Sequence, residues 1–251
     1  DKYDFLKAPV KLDIVYEDEN IILLNKKCGL LVHPDEMYHF DSLIARVQHY
    51  LYDEGEYDPV NQNSFAPALV NRLDRNTCGI VIAVKNSESL RIMNQKMKDR
   101  ELEKFYICKV VGRFKQKSGL LEDFLIKDEK KKTVFISRKR IPDSKMIRTQ
   151  YKVLSEGENT SMLEVKLLTG RTHQIRAHMA FIGHPIVGDG KYGNNKVNRE
   201  LGFKYQALCS YKLKFNFKSD AERLQYLNGK CFEVQDIWFV KDEIKKLQKR
   251  V

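Results

Sequence analysis

The five residues Ile80-Val81-Ile82-Ala83-Val84 constrain this chain more than any other stretch. Four of them are β-branched, which favours a pleated strand over a helix. An unbroken apolar run of this length reads as a buried strand. Immediately before it stands Asn71-Arg72-Leu73-Asp74-Arg75-Asn76-Thr77-Cys78-Gly79, where one acid sits between two arginines ahead of a Thr-Cys-Gly turn. A loop rich in functional groups that runs straight into a buried strand holds its side chains in place. Asp74 is therefore the candidate catalytic acid.

The rest of the chain supplies a sheet for that strand. Residues 12–15 and 21–25 read as strands on either side of an acidic turn, Glu17 to Asn20, and residues 26–34 as a basic loop. Asp41 is expected to cap a helix to about Asp53, with Leu43, Ile44, Val47, Tyr50 and Leu51 on one face. Residues 53–66 read as a flexible loop, and Asn86-Ser87-Glu88 as the start of a helix to about Arg100. Residues 105–111 form a strand. Residues 120–126 and 133–137 form an antiparallel hairpin whose Lys130-Lys131-Lys132 turn and Arg138-Lys139-Arg140 edge face solvent. A second hairpin pairs residues 150–154 with 162–168. Residues 207–215 and 232–240 read as strands, and the tail from Asp242 as a basic amphipathic helix. Strands joined mostly by hairpins point to an α+β fold with a mixed, largely antiparallel central sheet flanked by helices and loops.

A chain of 251 residues suits one large or two small domains. No apolar run approaches the roughly 18 residues that span a bilayer, and no charged-then-apolar leader opens the chain, so a cytoplasmic setting without membrane contact is expected. The five cysteines are scattered and lack C-x-x-C spacing, so neither a zinc knuckle nor a disulfide framework is expected, and they read as small buried apolar residues. Charge is divided unevenly. Residues 1–60 carry six basic against thirteen acidic residues, and the remainder carries thirty-nine against twenty-one. Such polarity suits a surface facing a polyanion.

Two motifs mislead. Gly188-Asp189-Gly190-Lys191-Tyr192-Gly193 matches the dinucleotide pattern by letter, but no strand leads into it, polar Asn194-Asn195-Lys196 follows where an apolar helix should begin, and no acid stands about twenty residues on. It reads as a loop. His173 and His178 are five apart and have no Glu between them, so a zinc-protease site is excluded. A metal-free mechanism is expected.

The second Arg-rich stretch is Leu168-Thr169-Gly170-Arg171-Thr172-His173-Gln174-Ile175-Arg176-Ala177-His178. Thr172 is expected to cap a short helix through Phe181, its N-terminal amides favouring an anion such as phosphate, with Arg176 one turn on and on the same face. Together with Arg72 to Gly79, Lys104-Phe105-Tyr106 and Gly183-His184-Pro185-Ile186-Val187-Gly188-Asp189, this stretch resembles the RluA family of pseudouridine synthases. The likeness runs from about residue 12 to 215. It departs mildly, with Asn71 where many members have His, Cys78 where many have Ser, and Lys27 where Pro is common.

The resemblance implies the pseudouridine synthase fold in a single catalytic domain over residues 1–251. The start at Asp1 leads to the expectation that a small RNA-binding domain upstream is missing. It implies an isomerase that breaks the glycosidic bond of a uridine in RNA and rejoins the base through C5, needing no cofactor. Asp74 is then the catalytic carboxylate, either attacking C1′ or removing a ribose proton; Arg176 is its cationic partner, and Tyr106 stacks on the base. Ile175 walls the base, Arg72 enters the RNA stack when the nucleotide is flipped out, and Arg75, Thr77, Arg171 and His173 face the RNA. Ribosomal RNA is the favoured partner, with transfer RNA as an alternative, and the chain is expected to be a monomer. A silent RNA-binding module of the same fold and a metal-free hydrolase are the competing readings; the second lacks a second carboxylate beside a motif.

Overall fold

The computed structural model describes residues 1–37, 40–61, 63 and 65–240. The chain forms two compact units, the first comprising Asp1–Leu102 with Lys212–Val234, the second Glu103–Tyr211 with Gln235–Val251.

The first unit opens with a 3-10 turn, Asp4–Lys7, followed by β1 (Ile14–Glu17), β2 (Ile21–Lys26), α1 (Leu43–Asp53), β3 (Ala68–Leu69), β4 (Cys78–Val84) and α2 (Ser87–Lys98). Strand β2 pairs antiparallel with both β1 and β4, and β3 pairs with β4. Every residue of β2 and β4 is buried, as expected of strands covered on both faces. On one face Ile22, Leu24, Val81 and Ala83 meet Leu43, Val47 and Leu51 of α1, with Phe5 closing the cluster. Helix α1 is capped by Ser42, whose side chain accepts from the Ala45 amide, not by Asp41 as expected. Asp41 instead takes both Nε and Nη2 of Arg46, a charge pair that draws its carboxylate away from the helix end. Among the described residues of 53–66 none is in a strand and only Asp53 is helical, but Tyr57 is buried in the core.

The second unit carries β5 (Leu102–Val111), β6 (Ser118–Asp128), β7 (Thr133–Ser137), β8 (Lys145–Glu156), β9 (Thr160–Leu167), α3 (Gln174–Phe181) and α4 (Asn195–Leu201). Its strands lie in the order β5-β9-β8-β6-β7, each pair antiparallel. Helix α3 packs Ala177 against Leu125, Val134 and Ile147. The chain continues through β10 (Leu208–Phe215), where residues 212–214 pair with β11 (Cys231–Glu233). Both expected hairpins are present, and Lys130, Lys131, Lys132, Arg138, Lys139 and Arg140 are exposed.

Several expectations fail. Residues 232–240 do not continue as a strand: pairing stops at Glu233, and residues 238–240 are helical. Residues 188–193 are a loop, but α4 follows directly, capped by Asn194 through the Lys196 and Val197 amides. The polar run that argued against a helix is its cap. Cys78, Cys108 and Cys209 are buried, whereas Cys28 is half-buried and Cys231 exposed. The expected tail helix falls outside the described residues. No described helix is long and apolar enough to cross a membrane.

A buried ion pair holds the returning segment of the first unit. Lys96 and Glu101 are each 3% exposed, with Nζ 3.2 Å from Oε2. Lys96 also donates to the Ser219 carbonyl and hydroxyl, and Glu101 accepts from the Lys218 and Ser219 amides. Burial alone would raise the Glu101 carboxyl, but these donors hold it below its ordinary value of 4.5. Glu101→Gln should cost roughly 3 kcal/mol in urea denaturation, because Lys96 is left charged and buried. The depressed carboxyl contributes stability above its unfolded value, so the gap between wild type and variant should close as pH falls below 4.5.

Candidate functional site

The sequence-predicted residues lie in both units, and each set is built separately. In the first unit, the loop of residues 71–79 is pinned at three levels. Asn71 imitates a strand neighbour: its Oδ1 accepts from Ile82 N at 2.8 Å and its Nδ2 donates to Ile80 O at 3.2 Å. Leu73 packs against the core around α1, while Arg72 is exposed on one side of it and Asp74 half-buried on the other. The Thr77 amide then closes a turn on the Asp74 carbonyl at 3.0 Å, and Thr77 itself is buried. Gly79 enters β4 at φ 123°, a region that favours glycine.

Beneath this loop lies a residue the sequence reading misplaced. Lys26 was expected in a solvated basic loop; it is the last residue of β2, 1% exposed, and aligned with Gly79. Its ammonium donates to the carbonyls of Lys27, Leu30 and Arg75, each at 2.9 Å, using all three of its protons. Gly29 completes the joint, its amide donating to Arg75 O at 2.8 Å and its carbonyl accepting from Arg75 Nε at 3.0 Å. Burial pushes the Lys26 ammonium down to about 8, against the pull of Cys28, Cys78 and Asp74. The only signal was position, a lysine just past the apolar run Ile21 to Leu24 and Asn25. His33 lies close enough to Arg72 for that charge, after burial, to hold its imidazole below the ordinary value. A cavity of about 450 Å³ opens beside residues 26–30. Among its lining charges Lys27 pairs with Asp13 and Arg46 with Asp41.

In the second unit, Tyr106 is an inner residue of β5, 8% exposed and aligned with Val165. Arg176 and Ile175 are buried in the first turn of α3, and Arg171 and Thr172 are exposed ahead of it. Thr172 does not cap this helix. The N-cap is His173, left-handed at φ 53° and without a side-chain capping bond. The turn ahead of the helix is held instead by Gln174, whose Oε1 accepts from the Arg171 amide at 3.1 Å. Thr172 therefore stands outside the helix, and the face it was expected to share with Arg176 does not exist.

Arg176 is gripped at two points by Asp189, Nε to Oδ2 at 2.7 Å and Nη2 to Oδ1 at 3.1 Å. Burial alone would raise the Asp189 carboxyl, but Arg176 and the amides of Tyr192 and Lys191 hold it below its ordinary value. The misleading Gly-rich loop thus has a definite task. Gly188 (φ 85°) is required there because a Cβ would stand 2.0 Å from the Tyr205 carbonyl oxygen. Tyr192 of the same loop lies 5.2 Å under the Arg176 guanidinium. Its hydroxyl accepts from Val134 N and shares a 2.7 Å hydrogen bond with His173 Nδ1. Asp189 closed the motif that carried the family resemblance, yet its role as the arginine's clamp was not legible there.

The sequence profile described as RNA pseudouridylate synthase matches residues 20–181, an interval that takes in Asp74, Tyr106 and Arg176. The chain is 36% identical over 208 residues to ribosomal large subunit pseudouridine synthase D of Borreliella burgdorferi, covering 82% of this chain and 62% of that protein. It is 29% identical over 215 residues to ribosomal large subunit pseudouridine synthase C of Vibrio parahaemolyticus, covering 84% and 64%. An uncharacterised RNA pseudouridine synthase of Aquifex aeolicus is 35% identical over 196 residues, covering 76% and 60%. The chain thus spans less than two thirds of the length of each of these relatives. Among solved structures, human RNA pseudouridylate synthase domain containing 4 superposes with a TM-score of 0.71 at 19% identity, covering 94% of this chain and 92% of that one. Human RNA pseudouridylate synthase domain containing 1 does so at 0.68 and 20%, covering 94% and 96%. At that identity the likeness establishes the fold.

Lys26→Met should remove a donor from the carbonyls of Lys27, Leu30 and Arg75 and cost roughly 2–4 kcal/mol in urea denaturation at pH 7. The unfolded lysine binds its proton more tightly than the folded one. Stability is therefore withheld below about 8 and regained as pH rises to 10.5, and the advantage of wild type over Lys26→Met should widen across that window.

Proposed function

The chain belongs to the RNA pseudouridylate synthase family, and on that premise we propose that it converts uridine to pseudouridine in structured RNA, with ribosomal RNA as the substrate. The observation that carries the reading is the anchored loop of residues 71–79, inside the family match and with its one carboxylate half-buried. The names of the Borreliella and Vibrio relatives support the choice of ribosomal RNA.

In this reading the N1–C1′ bond of the uridine breaks, the uracil turns, C5 bonds to C1′, the C5 proton leaves, and N1 takes up a proton from solvent. The product has the atoms of the substrate, so no redox partner or group donor is consumed. Asp74 serves as the carboxylate, by attack on C1′ or by removing a ribose proton. Either role needs it ionised and held still. The turn closed by Thr77, the core contact of Leu73 and the bond from Lys26 to the Arg75 carbonyl hold the loop still. Arg176 is proposed as the cationic partner of Asp74. Its two-point grip on Asp189 pre-orients the guanidinium, so less entropy is lost when it engages a substrate or a carboxylate. Tyr106 offers its ring to the base, Ile175 an apolar wall, and Arg72 the side chain that fills the stack of a flipped nucleotide. Arg75, Arg171 and His173, with the exposed cations of the β6–β7 hairpin, position the RNA without reading its sequence; Thr77, expected to face the RNA, is buried and acts only through the turn it closes on Asp74. The isomerase acts where its RNA is, in the cytoplasm.

Asp74→Asn should keep RNA affinity within about threefold and lower tritium release from 5-tritiated uridine RNA by about a thousandfold or more. Release near the wild-type rate would overturn the assignment. Pseudouridine mapping in total RNA from a strain lacking the gene should show sites lost from ribosomal RNA; loss from transfer RNA would move the substrate. RNA affinity should fall steeply with salt, with a log–log slope of about 4 or more for this many lysines and arginines. An affinity indifferent to ionic strength would remove the polyanion-facing surface.

A further inference from the structure

The second unit contains a buried polar chain that the proposed reaction does not use. His178, on the third turn-forming position after Ile175 in α3, is 0% exposed, and Asp123 of β6 and Thr149 of β8 are 1% and 0% exposed. His178 Nε2 lies 2.8 Å from Asp123 Oδ2, and Nδ1 lies 2.8 Å from Thr149 Oγ1. Carboxylate, imidazole and hydroxyl in series have the connectivity of a nucleophile triad. Burial rules that use out: no substrate reaches Thr149, and its hydroxyl is already engaged with two side chains.

The proton directions can be assigned around the whole chain. Asp123, beside the guanidinium of Arg138 at 3.2 Å, accepts, so the imidazole proton sits on Nε2. Nδ1 is then an acceptor, and the Thr149 hydroxyl donates to it. Thr149 in turn accepts from Gln174 Nε2 at 3.0 Å, and the same nitrogen donates to the Arg148 carbonyl at 3.2 Å, so two acceptors fix the orientation of the Gln174 amide. Its oxygen therefore faces outward along the chain, taking the Thr169 hydroxyl at 2.9 Å and the Arg171 amide at 3.1 Å. Burial keeps the His178 imidazole below its ordinary value despite Asp123, consistent with the neutral tautomer this order requires. The chain ends where the helix most needs support. His173 is left-handed without being glycine, a conformation that persists only when its surroundings dictate it.

We propose that His178 and Thr149 are positioning residues, which through Gln174 fix the Arg171 backbone and so aim the Arg171–His173 turn at RNA. The inference rests on the reading of that turn as RNA-facing. It makes the Thr149 hydroxyl, a group with no access to substrate, a determinant of turnover. Thr149→Val keeps the volume and removes the hydroxyl; Thr149→Ser keeps the hydroxyl.

The test compares the two variants with wild type by tritium release from 5-tritiated ribosomal RNA transcript and by amide exchange at Arg171, with the Leu163 amide in mid-β9 as reference. Thr149→Val should lower kcat at least tenfold with KM within threefold, and speed Arg171 exchange at least tenfold while Leu163 is unmoved. Thr149→Ser should stay within twofold of wild type in each. Equal exchange at Arg171 in all three proteins would overturn the proposal. So would faster exchange without loss of kcat, equal loss in Val and Ser, or loss of protection at Leu163 as well. If wild type itself releases no tritium, the proposed reaction has failed, and the exchange comparison still decides whether Thr149 holds the turn.

Discussion

One ammonium group holds the loop on which the chemistry proposed for the first unit depends. Lys26 is buried at the end of β2, where a positive charge is costly, and that cost is offset because its three protons meet three carbonyls, those of Lys27, Leu30 and Arg75. One of those carbonyls belongs to Arg75, next to Asp74. The same contact that solves the solvation of the lysine therefore sets the backbone of the acidic loop. The depressed proton affinity of Lys26 reflects that compromise, since burial outweighs the attraction of the nearby Cys28, Cys78 and Asp74. A hydrophobic residue in its place would fill the volume and supply none of those three bonds.

The second unit uses the same logic with a different charge. Arg176 enters the protein's interior only with Asp189 opposite two of its nitrogens, and Asp189 in turn has two backbone amides. A guanidinium fixed in this way keeps its orientation without a reorganisation cost when a ligand arrives. The helix that carries it begins with a residue in a strained conformation and lacks the usual cap. Gln174, held by Thr149 and the Arg148 carbonyl, instead ties down the turn ahead of the helix by accepting from the Arg171 amide. In both units the residues proposed to face RNA stand on a fully paired polar layer, and that layer gives exposed arginines a defined backbone.

How legible was this in the sequence? The short apolar runs predicted β2, β4, β5 and both long hairpins, because burial on one or both faces imposes a local pattern on composition. The boundaries that failed were those where a polar group chooses between partners. Asp41 left the cap of α1 to Ser42 because Arg46 offered a charge pair. Thr172 did not cap α3 because Gln174 closes the turn from the far side, and the strand expected over residues 232–240 lost its pairing after Glu233. Asn194, read as a polar interruption, proved to be a helix cap.

The two charged stretches, and the family they point to, were set by the sequence itself. Asp74 between its arginines and the run from Gly170 to His178 are contiguous, and contiguous chemistry survives without coordinates. What tertiary structure alone decided is which buried group answers which. Lys26 meets a carbonyl 49 residues away, and His178 meets a carboxylate 55 residues away. The reason is physical. Apolar burial leaves a periodic trace along the chain, whereas a buried charge or imidazole needs only one partner at about 3 Å, and nothing in the spacing of residues says where along the chain that partner lies.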